Sequence, residues 1–135
     1  MVANRYRPAV IAVAVAMTLA SAHETQGQDQ PPPSTVRAAQ VAETIATACN
    51  ERRYSDVGEL LHPTLRRMWI DIGFKVKDFC DTLTRGGTLS EVRIDKEEQV
   101  GDHALVYVTY LFRGGAEQVD RATFLRDKGV WKLAG

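Results

Sequence analysis

The sequence predicts an α+β fold, with N-terminal helices packed on one face of a curved, four-stranded antiparallel meander to make a cone-like shape. Three observations carry this. Apolar residues recur at three- and four-residue steps as far as Leu83. Beyond Gly86-Gly87 the period drops to two. The period-two segments are joined by short turns around Gly101, Gly114-Gly115 and Gly129, which imply consecutive antiparallel pairing. Helices first and strands after is the α+β order.

The front of the chain is not part of that fold. Residues 1–22 read as a secretory signal: Arg5 and Arg7 make a positive start, Ala9 to Ala20 is an apolar run, and Ala20-Ser21-Ala22 is a small-x-small cleavage pattern. Cleavage near Ala22 sends the protein to the periplasm or outside the cell. The run is short against the ~20 apolar residues of a spanning helix. Membrane attachment is therefore expected only through an uncleaved signal segment. Residues 23–33 are polar and end in three consecutive prolines, as an extended linker does. The folded domain is 34–135.

Charge excludes one partner class. The chain holds 17 basic and 17 acidic residues, and setting aside Arg5 and Arg7 leaves 15 against 17. Nucleic acid as a main partner would want a basic face. Cys49 and Cys80 are the only cysteines. Behind a signal peptide they read as a structural disulfide, worth ~3–4 kcal/mol on the chain-entropy argument.

Each element has its own justification. Ser34 or Thr35 can cap a helix over Thr35 to Arg52, striped by Val36, Ala39, Ala42, Ile45, Ala46 and Cys49. Ser55 or Asp56 can cap a short helix from Val57 to Leu61. After Pro63, the residues Leu65, Met68, Trp69 and Ile72 share a helical face that ends near Gly73. Val76, Phe79, Cys80 and Leu83 stripe the last helix. Strands are expected over Leu89 to Gln99, His103 to Phe112, Glu117 to Arg126 and Val130 to Ala134. The second is rich in β-branched and aromatic residues on both faces, as a central strand is. Leu105, Tyr107, Thr109 and Leu111 form one face, and Val106, Val108, Tyr110 and Phe112 the other. Trp131 makes the last strand integral to the sheet, as a wall or a plug.

Three stretches resemble small secreted bacterial domains of the nuclear transport factor 2-like, or cystatin-like, superfamily, in a branch of unknown function. They are ACNERRYSDVGELLHPTLRRMW, VGDHALVYVTYLF and the closing LRDKGVWKLA. The resemblance implies a cone-shaped cavity. It also implies that an enzymatic member would need a buried carboxylate base and an oxyanion donor lining that cavity. Ile45 stands where a tyrosine of the first helix would sit, and Asp71 is the only carboxylate of LRRMWIDIG.

Candidate residues follow. Tyr54, Trp69, Tyr107, Tyr110 and Trp131 are expected around the cavity, which like most small-molecule pockets would be mainly apolar. Asp71 and His103 are the alternative bases. His62 and His103 lie too far apart in sequence for a usual zinc pattern, so no metal and no cofactor are expected. Arg52-Arg53 and Arg66-Arg67 read as exposed helix charge. The favoured function is a secreted or periplasmic non-catalytic module that binds a small apolar ligand or a protein. The alternative is a small isomerase- or dehydratase-like enzyme using a cavity carboxylate. A homodimer through the outer sheet face is compatible with the favoured reading.

Overall fold

A computed structural model of the chain describes Val36–Gly135. The expected signal at 1–22 and linker at 23–33 lie outside the described residues. Four helices precede four strands: α1 (Ala38–Asn50), α2 (Tyr54–Glu59), α3 (Pro63–Ile72), α4 (Val76–Thr84), then β1 (Leu89–Val100), β2 (His103–Phe112), β3 (Glu117–Asp127) and β4 (Val130–Leu133). The sheet is open and antiparallel throughout, in the order β1-β2-β3-β4. The fold class is α+β.

The helix ends differ from the expected caps for local reasons. α1 starts at Ala38, with Arg37 as N-cap and its N–H donating to Gln40 Oε1 at 2.7 Å. Val36 therefore precedes the helix and is exposed. The buried stripe begins at Ala38 and includes Val41, Ala42, Ile45, Ala46 and Cys49. Its small residues let the helix lie close to its neighbours. α2 starts at Tyr54, earlier than expected, and Asp56 occupies its first turn rather than its cap. There Asp56 meets the positive end of the helix dipole and pairs with Arg53 at 2.6 Å. His62 caps α3 by accepting from the Thr64 N–H at Nδ1 (3.2 Å), and Pro63 takes the first helical position. Gly73, at φ 75°, stops it.

α3 departs from the expected face. Leu65 is buried and Trp69 is half-buried, but Met68 and Ile72 are 50% and 69% exposed. The helix meets the rest of the domain along a narrower stripe than its apolar pattern allowed.

Cys49 on α1 and Cys80 on α4 form a disulfide with their Cα atoms 4.9 Å apart. Both are buried, so the bridge joins the first and last helices inside the core.

In β2 the even-numbered set faces the helices: Ala104, Val106, Val108, Tyr110 and Phe112 are all buried. Phe124 of β3, and Trp131 and Leu133 of β4, continue that face. The turn before β4 places Lys128 and Gly129 at φ 55° and 82°, the left-handed pair that a tight hairpin of this twist requires. β4 is also held from outside the sheet. Leu133 accepts from the His62 N–H at 2.7 Å and donates to the Leu60 carbonyl at 2.8 Å. Trp131 is 2% exposed, with the Arg126 guanidinium 4.5 Å above its ring.

β1 carries two register shifts, at Leu89/Glu91 and at Ile94/Lys96. The second reverses the alternation, because an extra residue turns everything after it to the opposite face. Glu97 consequently pairs with Val106 and points toward the helices. Its carboxylate, 6% exposed, binds the Arg37 side chain at 3.1 Å at the start of α1.

Candidate ligand cavity

A cavity of about 210 Å³ lies between the helices and the inner face of the sheet. α1 contributes Ala42 and Ile45, α3 contributes Leu65 and Trp69, and α4 contributes Phe79 and Leu83. The sheet supplies Tyr110, Ala122, Phe124 and Leu133. Asp120, Arg121 and Gly135 are the polar part of the wall. Each of these three helices reaches the cavity through residues of its own apolar stripe. The site is thus a direct consequence of amphipathic helices covering a curved sheet.

The Trp69 ring is fixed from two sides. Phe74 meets it edge-on at 4.9 Å between centroids, and Phe79 lies tilted at 5.1 Å. Such contacts hold an aromatic wall in place before any ligand arrives. Tyr110 lies across the sheet from Gln118, and Asp120 lies across from Val108, one pair further along the same face. Burial, and then the neighbouring Asp120 charge, push the Tyr110 hydroxyl up to about 12. At neutral pH it is a neutral donor at the edge of an apolar chamber. Asp120 accepts the Arg121 N–H at 2.8 Å.

Of the five aromatics expected around the cavity, Trp69 and Tyr110 line it. Tyr107 stands on the opposite face of the sheet, where Lys96 lies 5.5 Å from its ring and its hydroxyl reaches Glu98 at 3.4 Å. The strand's alternation forces that outcome once Tyr110 faces inward. Trp131 is core beneath Arg126, and Tyr54 packs half-buried against the core. Neither is in the cavity wall. Asp71 is exposed on α3 and His103 is exposed at the start of β2, and neither is in the cavity wall. The carboxylate that does is Asp120. Its position depends on the β2–β3 register, which the Arg113–Gly115 turn leaves open by a residue or two. Among the described residues no group of His, Cys, Asp and Glu could hold a metal ion. No helix among them is long and apolar enough to cross a membrane.

No protein-family model matches the chain, and no curated protein matches it in sequence. Solved structures do match it in three dimensions. A SEC-C motif containing protein from Rhodopseudomonas palustris superposes with a TM-score of 0.57 at 21% identity, covering 75% of this chain and 80% of that one. A Campylobacter jejuni protein described as an NTF2-like transpeptidase superposes with a TM-score of 0.55 at 12% identity, covering 69% of this chain and 93% of its own. The chain shares its fold with these two structures, one of which is described as NTF2-like. At these identities the likeness concerns the fold alone, and fold does not carry function.

Within this fold the cavity can do two things. It can enclose an apolar body between Trp69, Phe79 and Phe124. It can also orient one polar group, since the Tyr110 hydroxyl donates and the Asp120 carboxylate accepts. The acidic groove between α1 and β1 is larger, at about 320 Å³, but is more open and carries Glu43, Glu51 and Glu91 on its walls. The more apolar and less open cavity is the better ligand site on chemistry.

Proposed function

We propose that the protein is a secreted or periplasmic, non-catalytic binding module that holds a small apolar ligand in the NTF2-like cavity. The observation that supports this most is the pairing of an apolar chamber with one neutral donor, Tyr110, at its edge. The chamber's 210 Å³ lies below the usual range of drug-sized pockets, so the ligand is small. The buried Cys49–Cys80 bridge is compatible with an oxidising compartment. Native mass spectrometry of the chain, purified from a secreting host without detergent, tests the reading. Extra mass that leaves on denaturation, and that is lost in Ala122→Trp, supports it. A bare protein that takes up no small aromatic or aliphatic alcohol in the same measurement counts against it. A bare dimer would shift attention to the outer sheet face.

A second reading has one specific observation behind it. Asp120 and Tyr110 share the cavity wall, as a base and a proton-donating hydroxyl would in a small isomerase- or dehydratase-like enzyme. The residue at issue is then Asp120, in place of Asp71 or His103. Exchange of a weakly acidic C–H proton of a bound ketone with solvent deuterium, abolished by Asp120→Asn, would favour it.

A further inference from the structure

β4 is short and leaves half of β3 without a neighbour. It pairs with residues 124–127 only. Just past its end, Thr123 donates to the Gly135 carbonyl and accepts from the Ala134 N–H, both at 2.8 Å. In an antiparallel ladder the N–H and C=O of one residue point to the same side, and residues two apart share that side. Arg121, Val119 and Glu117 therefore aim their main-chain groups at the same edge as Thr123, beyond the reach of β4. The Arg121 N–H is taken by the Asp120 carboxylate at 2.8 Å. The other edge-facing groups have no partner among the described residues. Residues 116–121 are all exposed, so no described element covers this edge.

The remaining edges are taken or blunted. Leu60 and His62 bond to Leu133 along β4. β1 carries its two register shifts, a device that spoils an edge for a new strand. The β2–β3 register runs without a shift through residues 117–125, so the open stretch is regular.

That stretch, Glu117-Gln118-Val119-Asp120-Arg121, complements itself when reversed. In an antiparallel pair with a second copy, centred on Val119, Glu117 lies opposite the partner's Arg121, and Arg121 opposite the partner's Glu117. Neither residue is in an ion pair among the described residues. Their neighbours across β2 are the uncharged Leu111 and Tyr107. Val119, 70% exposed, meets its own copy. On the inner face Gln118 lies opposite the partner's Asp120. Arg85 holds the Gln118 Oε1 at 3.1 Å, which leaves the amide N–H groups to donate to that carboxylate.

We propose that this edge of β3 pairs with the same edge of a second copy, joining two four-stranded sheets into one. An unrelated extended peptide would satisfy the main chain but not this order of side chains. The pairing sets the partner's Gln118 beside Asp120 in the cavity wall, and it stands whatever the cavity binds.

Sedimentation of the chain, purified from a secreting host, tests this over about 10 μM to 1 mM. The interface is small, so the dimer should be weak and reversible. Arg121→Glu sets like charges opposite each other and should raise the dimer Kd about tenfold or more, as should Glu117→Arg. The two substitutions together exchange the charges and should return Kd to within about threefold of its original value. Val119→Pro is a second kind of variant. Its N–H faces away from β2, where proline is tolerated, so it should keep the fold and abolish the dimer. Three results would overturn the proposal: a monomer up to about 1 mM, a dimer that Val119→Pro leaves intact, or a charge exchange that fails to recover the association lost in the single variants.

Discussion

The Thr109 hydroxyl donates to the Asp95 carboxylate at 2.5 Å, across the register shift that reverses the second half of β1. Thr109 is 1% exposed on the outer sheet face, and this bond satisfies its hydroxyl. The Thr109 bond, then the Arg93 bond, hold the Asp95 carboxyl below its ordinary value. A depressed carboxyl stabilises the fold above its unfolded value, about 3.9, and that contribution disappears as pH falls through the folded value. Asp95→Asn keeps an acceptor for Thr109. It should lower stability near neutrality, leave it nearly unchanged in acid, and so flatten the acid limb below about pH 4. Denaturant midpoints measured across the acid range check this; an unaltered acid limb would contradict it.

Tyr110 should govern the alkaline limb. Its hydroxyl lies at about 12 in the fold, against about 10 in an unfolded chain. The raised value means that its contribution is complete below pH 10 and is lost as pH rises through 12. A difference of that size corresponds to roughly 3 kcal/mol between these limits. Tyrosinate absorbance should show one tyrosine lagging the others, and Tyr110→Phe should abolish the lagging step.

The disulfide should contribute mainly by restricting the unfolded chain. With a sequence separation of 31 between Cys49 and Cys80, reduction should lower stability by about 3–4 kcal/mol. Urea midpoints with and without reductant measure it. Two titratable thiols in unreduced protein would show that the bridge does not form.

Trp131 and Ile72 should behave oppositely despite similar sequence-level hydrophobicity. Trp131→Ala removes a 2% exposed ring from the core and should cost about 3–5 kcal/mol. Deleting β4 altogether should unfold the domain, because Leu60 and His62 would lose their partners in Leu133 as well. Ile72→Ser, at a site 69% exposed, should change stability by no more than about 0.5 kcal/mol. Thermal melts of the two variants separate the cases.

Much of the architecture is legible in the sequence alone. The change of apolar period after Gly86-Gly87 marks where helices give way to strands. The glycine-bearing turns mark the meander, and both cysteines fall on apolar stripes. Local rules suffice for these features because period, turn chemistry and helix stops depend on neighbours in sequence. The expected limits of β2, His103 to Phe112, are those of the folded strand. The cavity is only partly legible. Trp69 and Tyr110 are named by their type and face, but Asp120 is not, since its place depends on a hairpin register.

The sequence by itself determined that β2 has two large-residue faces, that helices come first, and that Cys49 and Cys80 sit on helices able to meet. Only the tertiary structure decided which face of β2 turns inward, because alternation defines two sides and says nothing about which one the helices cover. That choice put Tyr110 in the cavity wall and Tyr107 behind it. The register shift at Ile94/Lys96 likewise turned Glu97 toward Arg37, since one extra residue in a strand reverses every side chain beyond it. Met68, Ile70 and Ile72 were left at the surface for a related reason. A helix buries only the arc that its neighbours can reach, and on α3 that arc ends at Leu65 and Trp69.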